Sequence, residues 1–259
     1  MILPKEHGAY GQMAFPMVTA FAIVGAAASA VLIAATTIAI FLAHEPALIL
    51  LGQRGSRAKR EVGRAASRGL AGWTAVGLAA GIGAVVSAPT DTCWSVLVPV
   101  GPAAVLAFAA LRGREKTWYG EVASAVAFSS AAVPMVVTAG YSMRTALAIA
   151  VPFALLFVIA TLAVRVVILR VRGGGDAHAT AVTRRAAFLL AAASTATLLW
   201  AVIAALLPLS VLIATVPGLA IAVAVAVRPP APAHLRTLGW TLVAASALTA
   251  VTTITAARL

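Results

Sequence analysis

Apolar and small residues run along this chain in long stretches separated by short polar clusters, without the period-two alternation that marks barrel strands. A hydrocarbon core about 30 Å thick takes roughly 20 residues of helix per crossing. Cut at their polar breaks, the stretches predict nine spans, at 9–28, 30–51, 69–88, 94–111, 118–140, 144–169, 186–207, 209–227 and 237–257. Length alone sets the first cut, because Tyr10 to Leu51 holds no polar loop and is too long for one crossing. The expected fold is an all-α, polytopic transmembrane helical bundle that forms a single integral membrane domain over residues 1–259. Prolines inside spans, such as Pro16, Pro134 and Pro152, fit helices whose neighbours satisfy the freed backbone groups. Gly77 and Gly81, four residues apart, offer a close helix contact.

Composition agrees with that class. Hydrophobic residues make up 62% of the chain and charged residues 10%, with a mean hydropathy of +1.03, beyond the roughly 45–50% apolar content of a soluble domain. A net charge of +12 on a soluble chain would point to nucleic acid; here the preference of Lys and Arg for cytoplasmic loops accounts for it, and no nucleic-acid partner is expected. With the N-terminus inside, all of the 19 Lys and Arg residues except Arg144 and Arg258 fall in cytoplasmic segments or at span ends on that side. The orientation is therefore N-in, C-out, in the bacterial inner membrane. Cys93 is the single cysteine and cannot form an internal disulfide. The four histidines show no zinc spacing, and phosphate-loop and G-x-S-x-G motifs are absent, so the sequence names neither a metal nor a cofactor. The first apolar segment follows one lysine and has no clear small-residue cleavage site, so span one is expected to remain in the mature protein.

The informative residues are ionisable groups within or beside spans, since a charge at a helix centre costs about 2.5–3.5 kcal/mol. Glu6 and His7 open span one, His44 and Glu45 lie near the end of span two, Glu121 begins span five and Arg165 lies near the end of span six. Span two descends towards the cytoplasm in this orientation, which puts Glu45 about 9 Å from that end. All six groups belong to the cytoplasmic half. An alternating-access carrier places its site near the midplane, so a pocket open to the cytoplasm suits an amphiphile with an anionic head, a phosphate or a diphosphate. Glu45 and Glu121 are the candidate proton-transfer groups, and Glu6, His7, His44, Arg54, Arg57, Arg60 and Arg165 the candidate ligand-binding groups.

Arg57, Arg60, Arg64 and Arg68 are spaced 3, 4 and 4 residues apart, which in a helix makes one stripe. Guanidinium forks match phosphate oxygens, and the same charges serve topology. Glu45 has a bland alternative, in which it pairs with an arginine such as Arg165 or a histidine such as His7 and only pins helices. His44 and Glu45, as helix neighbours, diverge by about 100° and do not share a face. If Glu6 and His7 line the site, the start of span one faces the lower part of span two. The loop RVRGGGDAHATAVTRR, residues 170–185, reads as a flexible linker with Asp176 and His178 solvated. The expected partners are membrane lipids, with an isoprenoid or a phospholipid as ligand. A small-solute transporter and a non-catalytic accessory membrane protein are the alternatives.

The opening Pro4-Lys5-Glu6-His7-Gly8-Ala9-Tyr10 with Pro16, and later Glu45-Pro46 with Leu50, Arg54, Gly55 and Arg57, resembles the YwiC-like family of bacterial multi-pass membrane proteins. The resemblance implies a membrane protein and no particular reaction. A more distant likeness is to the UbiA-type intramembrane prenyltransferases, with nine spans, an inside N-terminus and functional loops after spans two and six. Those enzymes bind magnesium diphosphate through aspartate-rich motifs. Here His44-Glu45 and arginines stand in the first place and only Asp176 in the second, so no catalytic residue carries over.

Overall fold

The computed structural model describes residues 2–4, 7–172, 177–231 and 234–258. Among them there is no strand, and the helices are α1 (His7–Val24), α2 (Ala28–Leu50), α3 (Ser56–Ser87), α4 (Val100–Leu111), α5 (Trp118–Ser130), α6 (Ala132–Val137), α7 (Met143–Arg172), α8 (Ala177–Ile203), α9 (Leu209–Val227) and α10 (Leu235–Arg258). Eight segments are long and apolar enough to cross a membrane, and α1 contributes a shorter apolar stretch, Gly8–Val24. They follow the nine predicted spans. A 3-10 turn, Cys93–Leu97, leads into α4, and α5 and α6 together make the fifth crossing.

Several ends depart from the hydropathy cut, among them the start of α8 at Ala177 rather than 186, and two have a plain local reason. Span one closes at Val24 because Gly25 takes a left-handed φ of +71°, which ends the helix where no polar loop does. Helix α3 begins at Ser56 rather than at 69. Hydropathy marks where hydrocarbon starts, whereas the helix runs on into the polar layer. At 1.5 Å per residue α3 is about 48 Å long, well over the roughly 30 Å core, and the excess carries the four arginines.

The chain divides into two compact units, Met1–Met143 and Arg144–Leu259. In the first, α2 and α3 form an antiparallel pair held close by glycines: a Cβ on Gly77 would lie 3.4 Å from that of Ala39, and one on Gly81 3.6 Å from Thr36 Oγ1. Small residues permit the backbone approach from which helices in lipid gain their packing energy. Tyr10 of α1 meets Phe41 of α2 edge-on at 4.8 Å between ring centroids, and Phe41 meets Phe128 of α5 at 5.6 Å. The start of α1 is thereby set against the end of α2 that carries His44 and Glu45, and the Tyr10 hydroxyl donates to the carbonyl of Pro4 at 3.0 Å. In the second unit, Ile159, Ala163, Leu219, Ala222 and Leu238 of α7, α9 and α10 form a buried core. There Thr249 donates to the Ala214 carbonyl at 2.8 Å.

Candidate functional site

Two helix ends build the principal polar cluster of the first unit, and both use the same device. After α2, Gly52 adopts φ +79°, its N–H reaches the Ile49 carbonyl, and the N–H of Gln53 reaches back to Leu48. After α4, Gly113 adopts φ +65°, with its N–H on Ala110 and that of Arg114 on Ala109. Both are Schellman closures, which reverse the chain at the end of a helix and satisfy its last carbonyls. In each case the second residue after the glycine turns back under the helices. Those residues are Arg54 and Glu115.

Arg54 binds Glu45 side-on, Nε to Oε1 at 2.9 Å and Nη2 to Oε2 at 2.7 Å, while its Nη1 donates to Glu115 Oε1 at 3.2 Å. Glu115 Oε2 in turn lies 3.0 Å from His44 Nε2. Glu45 and Glu115 keep 6% and 9% of their side-chain surface exposed, and Arg54 22%, so the pairs are largely desolvated and bind through charge-assisted bonds. Two carboxylates face one guanidinium and one imidazole. The cluster is electrically balanced when His44 carries its proton. Burial pushes the Glu115 carboxyl up, but the His44 hydrogen bond and the charges of His44, Arg54 and Lys116 outweigh it, and the carboxyl is held below its ordinary range.

Neighbouring parts fix Glu115 and the turn. A Cβ on Gly120 would press into the Glu115 carbonyl oxygen, so the first turn of α5 packs directly on the Glu115 backbone. The Gln53 amide donates to the Ala110 carbonyl, tying the α2–α3 turn to the end of α4.

Of the predicted site residues, the cluster gathers His44, Glu45 and Arg54. His44 and Glu45, neighbours on α2, are joined through Glu115 and Arg54. Glu45 pairs with an arginine, Arg54; Arg165 lies on α7 in the second unit. Arg57 and Arg60 are exposed on α3, where Arg57 Nε also holds Glu61 at 2.7 Å. Glu121 is half-buried in the first turn of α5. Glu6, the side chain of His7 and Asp176 lie outside the described residues. Glu115 is the member that sequence reasoning missed. Its signal is the match between Gly52-Gln53-Arg54 and Gly113-Arg114-Glu115, each opening after an apolar helix.

A second feature lies along the α2–α3 seam. An apolar groove of about 610 Å³ runs between Thr36, Ile40 and Ala43 on one side and Trp73, Leu78, Ile82 and Val86 on the other, with Gly77 and Gly81 on its floor. Its α2 wall ends at Ala43, beside His44.

These observations define a multi-pass, all-helical membrane protein with a buried ion-pair cluster where two of its helices end. The chain belongs to the YwiC-like protein family, which matches residues 3–137. The match covers just over half of the chain and holds all four cluster residues. Comparison with curated proteins and with solved structures finds no similar chain.

Proposed function

We propose that this YwiC-like protein sits N-in, C-out in the bacterial cytoplasmic membrane and binds an amphiphile with an anionic phosphate or diphosphate head at its cytoplasmic side. One observation carries the reading: the arginine stripe and the outer wall of the groove share a face of the same continuous helix. From Arg57, Arg60, Arg64 and Arg68 the line continues at helical spacing through Ala71 and Ala75 to Leu78, Ile82 and Val86. Head-group charge and chain-binding surface thus follow one another along α3, as they do in an amphiphile. The stripe is exposed, and guanidinium forks suit phosphate oxygens. Arg54, committed to Glu45 and Glu115, anchors the turn that aims the stripe, and Glu45 acts through it as a positioning residue.

Native mass spectrometry of the purified protein tests this. An anionic lipid should be retained, and replacing both Arg57 and Arg60 by lysine should weaken retention about tenfold, because charge is kept while the bidentate fork is lost. Retention unchanged by the double replacement would return the stripe to a purely topological role.

A further inference from the structure

The groove reaches deeper than one leaflet. Arg68 is the last charged residue of α3 and marks where the helix enters hydrocarbon, since charges beyond that point are costly. Counted from Arg68 at 1.5 Å per residue, Trp73 opens the groove about 8 Å in and Val86 closes it about 27 Å in. Thr36 on α2, packed against Gly81, still walls it at about 20 Å. One leaflet of a core about 30 Å thick ends at about 15 Å. A phospholipid held by its head at the stripe would leave the far part of the groove unfilled, whereas a chain that fills it runs past the midplane. Spread over the roughly 20 Å from Trp73 to Val86, a volume of about 610 Å³ leaves the cross-section of a single hydrocarbon chain.

Resting on the amphiphile-binding reading above, we infer that the occupant is a single-chain lipid longer than one leaflet, of the polyisoprenyl phosphate or diphosphate class. Its head meets the arginines, and its chain lies over Gly77 and Gly81 and continues past Ile82. Nothing in this assignment involves the ion-pair cluster, which stabilises the turn from which the stripe projects.

The test uses the full chain in detergent and three probes bearing the same phosphate monoester head: a long polyprenyl phosphate, farnesyl phosphate and dioleoyl phosphatidic acid. Retention is read by native mass spectrometry for the wild type and for Ile82→Trp and Thr74→Trp, two exposed positions at which a larger side chain blocks the far and the near part of the groove. Unchanged circular dichroism confirms that each variant is folded. The long polyprenyl phosphate should be retained about tenfold better than either other probe. Ile82→Trp should remove that advantage and leave farnesyl phosphate unchanged, while Thr74→Trp should weaken both isoprenoids. Equal retention of phosphatidic acid and the long polyprenyl phosphate, or no effect of Ile82→Trp, overturns the chain assignment; the head-group reading then stands if the paired arginine-to-lysine replacement still weakens every probe. Retention of none of the three overturns both.

Discussion

Arg54 is the residue on which the cluster depends, because it serves two buried carboxylates at once. Arg54→Ala would strand both, and removing one partner of a buried pair costs about 3–5 kcal/mol. Glu115→Gln removes one charge but keeps an acceptor for Arg54, so its melting temperature in detergent should fall less than that of Arg54→Ala; an equal or greater fall would displace Arg54 from the centre of the network. Glu115 also sets a pH dependence. Its carboxyl is lowered from an ordinary value of 4.5, so its stabilisation is fully present above that value and is lost as pH falls below it, through the folded-state value. Melting temperature should therefore drop on acidification below about 4.5 in the wild type, with the drop reduced in Glu115→Gln. His44, Glu45 and Arg54 were legible in the sequence because ionisable side chains beside hydrocarbon are rare and conspicuous. Glu115 was not, since it stands between Arg114 and Lys116 in a loop whose basic character dominates when charges are counted for topology.

Element ends do the work of assembly here, and they are harder to read than the elements themselves. The apolar runs revealed the spans, as length and hydropathy alone decide what fits a bilayer. They could not reveal that α3 starts at Ser56, because hydropathy falls silent in the polar layer, nor that two glycine closures bring residues 54 and 115 together. A helix-to-helix contact of this kind depends on backbone approach, which a single glycine permits without announcing its partner. Gly120 illustrates this. An added methyl would press on the carbonyl oxygen of Glu115, a backbone atom with no rotamer to escape into, so Gly120→Ala should push the turn away from α5 and loosen the Glu115 contacts. The variant should show the same weakened acid dependence of melting as Glu115→Gln, without any change of charge. An acid dependence equal to that of the wild type would show that the turn absorbs the methyl and that Gly120 does not position Glu115.

For the whole molecule, the proposed nine crossings and the proposed one-sided arrangement of polar groups stand on the same count. The described helices supply eight long apolar segments and the shorter stretch of α1, and the family match falls entirely within the first of the two compact units. That unit holds the cluster, the stripe and the groove, so the proposed chemistry resides where the family is recognised. The proposed orientation rests on charge: every Lys and Arg but Arg144 and Arg258 can be cytoplasmic only if the number of crossings is odd and the N-terminus is inside. Reporters fused before Met1 and after Leu259 should accordingly report opposite compartments, the first cytoplasmic. Two cytoplasmic reporters would mean an even number of crossings. α2 and α3 could keep their pairing in that case, but the later basic loops would be split between the two faces and the charge argument for orientation would fail. An external first reporter with an internal second would place the arginine stripe outside, where the cytoplasmic head-group site could not exist.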